Sequence, residues 1–148
     1  VDGYKPPAYW EDVARVREAV GAHVIANGEI WTVDDYWRCR EVSGCEDVMI
    51  GRGLIARPDL ARQIRASQQG QTVPELTWRE VVTLIEHYAA ALQTRLEDRY
   101  VTGRIKQWLN YLRTGFPEAQ ILWPAARKIR DVEPMLACLQ QALDAKAA

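Results

Sequence analysis

Val24-Ile25-Ala26-Asn27-Gly28-Glu29 and Asp47-Val48-Met49-Ile50-Gly51-Arg52-Gly53 decide how this chain reads. Each is a short apolar run that stops abruptly at glycine and charge, and a helix-like segment joins them. Apolar throughout, the runs suit parallel strands covered on both faces. Two such repeats match the last two β/α units of a TIM (β/α)8 barrel, where loops after the strands hold anionic groups. A barrel needs eight strands, and this chain has room for two before its character changes.

Outward from that pair, Pro6 and Pro7 keep the start of the chain in a loop, and Trp10 to Val20 has near-helical apolar spacing ended by Gly21. His23 to Ala26 reads as the first strand. Thr32 opens a helix with Asp35 in a capping-box position, and Ser43-Gly44 closes it. Val48 to Ile50 is the second strand, and the spacing predicts one helix over Leu54–Ala66 with Pro58 and Asp59 near its start. Ser67 to Pro74 is polar and linker-like. Beyond it no strand pattern appears. Thr77 caps a helix whose stripe is Trp78, Val81, Val82, Ile85, Tyr88, Ala89, Leu92 and Leu96. A second helix runs from about Thr102 to Gly115, a third over Glu118–Ile129, and a fourth follows Asp131 with Val132, Met135, Leu136, Leu139, Ala142 and Leu143 inward. The expected organisation is therefore α/β followed by all-α: residues 1–70 as C-terminal barrel units and 71–148 as a helical bundle.

Nearly half the residues are apolar (48%), which supports a sizeable core and argues against disorder. No apolar run approaches the roughly 20 residues of a membrane span, and no signal peptide opens the chain. A start at Val1 without methionine suits a piece of something longer. Cys39, Cys45 and Cys138 have no metal spacing, and their odd number fits reduced thiols of a cytoplasmic protein. Net charge is −1 overall, yet Arg99 to Arg130 holds seven basic residues against the single acid Glu118, a local +6. Such a patch suits a polyanionic partner, with an ordinary solvated surface as the alternative.

Gly51-Arg52-Gly53 falls where a strand turns outward. Glycine permits close backbone approach, and arginine grips a phosphate through parallel hydrogen bonds. Asn27, Gly28 and Glu29 occupy the equivalent place one unit earlier. Beside an anion the Glu29 side chain should turn away, leaving its backbone N–H as the contact. In the helical half, Arg104, Gln107 and Tyr111 form a row beside the buried stripe Ile105, Trp108, Leu109 and Leu112. Lys106, Asn110 and Arg113 form another exposed side. Basic and aromatic residues so placed suit nucleic-acid phosphates, riboses and bases. Trp78, Trp108 and Trp123 read as core. His23 reads as a packed or edge histidine, and His87 as solvated. No nucleophilic triad, acid–base carboxylate pair or metal cluster can be assembled.

Taken together, Gly3-Tyr4, Asn27-Gly28-Glu29-Ile30-Trp31, Ser43-Gly44-Cys45, Val48-Met49-Ile50-Gly51-Arg52-Gly53, Arg104-Ile105-Lys106-Gln107-Trp108-Leu109 and Tyr111-Leu112-Arg113 resemble the C-terminal half of bacterial tRNA-dihydrouridine synthases. The N-G-E-I-W and R-I-K-Q-W-L forms are most similar to the C-type, position-16 subfamily. The resemblance implies an FMN-dependent, NADPH-driven reduction of uridine in tRNA, by a monomeric cytoplasmic enzyme with no membrane partner. It implies FMN contacts at Asn27, Gly28, Glu29, Gly51 and Arg52. It implies tRNA contacts at Tyr4, Arg104, Lys106, Tyr111 and Arg127. The family's general-acid cysteine matches none of Cys39, Cys45 and Cys138, so these residues alone are expected to be inactive. Two alternatives stay open on the residues: a phosphate-binding barrel enzyme for a small substrate, and a free-standing RNA-binding module.

Overall fold

The computed structural model describes residues 6–144, with side chains to residue 141. Tyr4 lies outside the described residues, as do the side chains of Ala142 and Leu143. The chain divides into two compact units, residues 1–74 and 75–148.

The first unit runs α1 (Trp10–Ala19), β1 (Ala26–Asn27), α2 (Val33–Ser43), β2 (Val48–Met49), α3 (Arg52–Ala56) and α4 (Leu60–Gln68). α2 starts where the sequence places it. Asp35 N–H donates to Thr32 Oγ1 at 3.0 Å and Asp35 Oδ2 accepts from Thr32 N–H at 2.9 Å, the reciprocal capping box. Its end is Gly44 at φ 65°, a left-handed turn that glycine adopts without Cβ strain. The Arg17 guanidinium packs directly over that glycine, with Nε donating to Ser43 O at 3.2 Å. β1 and β2 pair in parallel, Ala26 beside Val48 and Asn27 beside Met49. α2 packs on both, around a core of Trp10, Ala26, Ile30, Tyr36, Cys39, Cys45, Leu60 and Ile64.

Two expectations fail here. The strands are shorter than the apolar runs, two residues each, and within this chain one face stays open, with Ile25 50% and Met49 58% exposed. Successive strand residues face opposite ways. Only the Ala26 side meets α2, and among the described residues two strands cannot close over the other. The single helix expected over Leu54–Ala66 is two, α3 and α4. Arg57 precedes Pro58, whose ring excludes the helical region for its neighbour, and Arg57 sits at φ −132°, ψ 88°. The break brings Arg57 Nε to 3.6 Å from Oδ1 of buried Asp59.

Among the described residues the elements of the second unit are all helices: α5 (Trp78–Gln93), α6 (Asp98–Leu112), α7 (Pro117–Ala126) and α8 (Val132–Asp144). Thr77 and Glu80 cap α5 reciprocally. The core is drawn from all four helices, with Val81, Val82 and Ile85 on α5 and Val101, Ile105, Leu109 and Leu112 on α6. Ala119 and Ala126 on α7 and Val132, Met135 and Leu139 on α8 complete it. α6 starts a turn earlier than the sequence suggests, and Thr102 is buried within it, its hydroxyl donating to Asp98 O at 3.0 Å. A threonine whose Oγ bonds the carbonyl four residues back sits inside a helix as readily as at its cap. Leu96 falls beyond the end of α5 and is 37% exposed, so it does not belong to the stripe. α7 ends at Ala126, before the expected Ile129, though Ile129 still packs on the core.

Candidate functional site

Parallel pairing in register means that β1 and β2 end side by side, and the loops that follow leave in the same direction. Residues 27–31 and 49–53 line one cleft of about 260 Å³ there. Asn27, Gly28, Glu29, Gly51 and Arg52, separated by more than 20 positions in sequence, are thus brought together.

The first loop is held open by its backbone. Gly28 lies at φ 115°, and its carbonyl accepts from Nε1 of buried Trp10 at 3.0 Å. Glu29 follows at φ 53°, a left-handed conformation that non-glycine residues seldom adopt. Its carboxylate does not turn away from the neighbouring loop, contrary to expectation. Oε1 lies 2.6 Å from Arg52 Nη2, and Oε2 accepts from Trp31 Nε1 at 2.9 Å. The Arg52 guanidinium also lies over the Trp31 ring, 5.4 Å from its centroid. A carboxylate beside a guanidinium is favourable where a carboxylate beside a bare anion is not, and that reverses the direction of the side chain. Trp31 is tied in turn to α2, its N–H donating to Asp35 Oδ2 at 3.0 Å. Sequence reasoning gave Trp31 no role. Its signal was the spacing, two residues after Glu29 and one before the Thr32 cap.

The second loop has one tight point. A Cβ at Gly53 would stand 2.0 Å from the Ile30 carbonyl oxygen, so only glycine lets the loops approach this closely. Gly51 is different: a Cβ there meets nothing within 4 Å.

In the second unit, Arg104 and Arg127 are exposed, whereas Lys106 and Tyr111 are half-buried. Arg104 Nη1 donates to Gln107 Oε1 at 3.2 Å, as their spacing on α6 allows. The other side of α6 is not simply exposed. Arg113 is half-buried, donates to Asn110 Oδ1 at 2.8 Å and Gln120 Oε1 at 2.7 Å, and lies 5.0 Å over the Trp123 ring. It braces α6 against α7. Trp78 is buried, and Trp108 and Trp123 pack partly buried against the core.

His23 is exposed and pairs with Asp47 at 3.0 Å, not packed. Both precede their strands, so the pair sits at the end opposite the cleft. Cys39 and Cys45 are buried and Cys138 half-buried. Burial, with Cys45 nearby as a second cause, raises the Cys39 thiol above its ordinary value, and burial raises Cys138. Such thiols are poor nucleophiles. Among the described residues no cluster of three or more His, Cys, Asp or Glu could hold a metal, and no helix is long and apolar enough to cross a membrane.

Proteins named tRNA-dihydrouridine(16) synthase from Pseudomonas putida and Aquipseudomonas alcaligenes are each 50% identical to this chain, over 88% and 90% of it. One of the same name from Ralstonia nicotianae is 43% identical over 95%. The matched part is 41%, 42% and 43% of those relatives, so the chain spans about two fifths of their length. The family model described as dihydrouridine synthase (Dus) matches residues 1–147, and the chain belongs to that family.

Proposed function

We propose that this chain forms the phosphate end of an FMN site and the tRNA-binding helical unit of a tRNA-dihydrouridine synthase acting at D-loop position 16. The carrying observation is the in-register strand pair that delivers residues 27–31 and 51–53 to one cleft. In this reading the first unit is the C-terminal part of a TIM barrel, and Ile25 and Met49 face its interior. FMN, reloaded by NADPH, would supply the hydride that reduces the uridine C5–C6 double bond. The residues of the cleft fit an anionic end of such a group. An arginine lies beside close-approach glycine backbone, and about 260 Å³ is under the roughly 300–1,000 Å³ of a whole small-molecule pocket. Asn27, Gly28, Glu29, Gly51 and Arg52 would bind and orient the phosphate end. Arg104, Lys106, Tyr111 and Arg127, with Tyr4, would contact tRNA, supported by the +6 segment in which four of them lie. The proton donated to the uracil ring would come from a cysteine outside these residues, so they are inactive by themselves. The enzyme is proposed to be a cytoplasmic monomer.

The test is Arg52→Ala in the protein expressed from its full reading frame. Flavin occupancy after dialysis is expected to fall well below that of the unaltered protein. Full yellow colour retained by the variant would remove Arg52 as the phosphate ligand.

A further inference from the structure

We propose that Trp31 is the positioning residue of this anion site, acting through Glu29 to preset Arg52. The inference rests on reading the cleft as a phosphate site, and assigns to Trp31 the task of keeping the guanidinium in place before the anion arrives.

Four contacts carry it. The Trp31 backbone N–H is anchored on Asp35, which belongs to the α2 capping box. The indole Nε1–H grips Glu29 Oε2 at 2.9 Å. The ring face lies under Arg52, whose Nη2 meets Glu29 Oε1 at 2.6 Å. Helix, indole, carboxylate and guanidinium form one chain, so the rigidity of α2 is passed to the tip of a side chain that is 45% exposed. An exposed arginine samples many rotamers and loses that freedom when it binds, and fixing it beforehand improves affinity without a new ligand contact. Glu29 is kept at φ 53° in the same arrangement. Uncommon backbone conformations persist where the surroundings over-determine them, and two polar partners on one carboxylate do so. A guanidinium has five N–H donors in a planar fork, so a carboxylate on one edge is compatible with phosphate recognition.

The experiment uses the protein from the full reading frame, stripped of flavin, and measures affinity for FMN and for riboflavin, which lacks the phosphate. Trp31→Phe keeps an aromatic body and deletes the Nε1–H. FMN affinity is expected to fall about tenfold, the scale of one hydrogen bond to a charged group, with riboflavin affinity within about twofold. Glu29→Asp, which draws the carboxylate back by one methylene, is expected to act the same way. Equal weakening of both flavins would make Trp31 merely structural and overturn the proposal. So would unchanged FMN affinity in both variants while Arg52→Ala abolishes the preference for FMN. If the unaltered protein does not prefer FMN over riboflavin, the phosphate reading itself falls and takes this inference with it.

Discussion

Gly53→Ala tests the closeness of the two loops directly. The added Cβ would stand 2.0 Å from the Ile30 carbonyl oxygen, 3.1 Å from its carbonyl carbon and 3.3 Å from Ile50 Cγ2. Ordinary contact begins near 3.4 Å, so the Ile30 carbonyl and the start of α3 must separate by about 1.4 Å. The obstacle is backbone, which cannot swing aside as a side-chain tip would. Ile30 is buried and follows directly on the left-handed Glu29, so its freedom to retreat is small. Overpacking of this kind costs about 1–3 kcal/mol, and a backbone neighbour places the change at about 3 kcal/mol. For a chain of 148 residues unfolding as one unit that corresponds to a loss of about 6–12 °C in Tm. Gly103→Ala provides the opposite sign from the same substitution. Gly103 is exposed within α6 and a Cβ there meets nothing within 4 Å, so alanine is expected to stabilise by up to about 1 kcal/mol. Thermal unfolding followed by circular dichroism measures both. A Gly53→Ala variant melting within about 2 °C of the unaltered protein would refute the tight approach and the cleft wall it builds.

Thr77→Ala removes the cap of α5 and is expected to destabilise the protein by about 1 kcal/mol in urea unfolding, with an unchanged m-value. Binding of tRNA is expected to weaken steeply with salt, and Arg104→Ala to reduce the slope of log affinity against log salt by about 0.7–0.9 if Arg104 neutralises one phosphate. An unchanged slope would take Arg104 out of the interface. The Cys39 thiol is raised in the folded state, so the folded protein holds its proton more tightly than the unfolded chain does. Its contribution to stability is therefore complete below the ordinary thiol value and is lost as pH rises through the folded one. Cys39→Ala is expected to flatten that alkaline decline, whatever it does to packing at lower pH.

Local rules made much of this chain legible from sequence. Thr32 with Asp35 and Thr77 with Glu80 mark two helix starts because a capping box is contained within four residues. Gly44 marks an end because a left-handed turn suits the one residue without Cβ. Motif spacing also supported the family resemblance, since Asn27-Gly28-Glu29 and Gly51-Arg52-Gly53 each keep their identity without the rest of the fold. What needed tertiary structure was everything set by partners distant in sequence. How far the strands extend depends on what pairs with them, so an apolar run could not report that the ladder covers only Ala26–Asn27 and Val48–Met49. The direction of the Glu29 carboxylate depended on a guanidinium 23 residues away, and Trp31 acquired a role only when the indole, that carboxylate and Arg52 met. Arg113 looked like a solvated cation until Gln120 and Trp123 arrived from the next helix. Caps and turns are short-range and written in adjacent residues, whereas the charge environment of a cleft belongs to loops that folding alone makes neighbours.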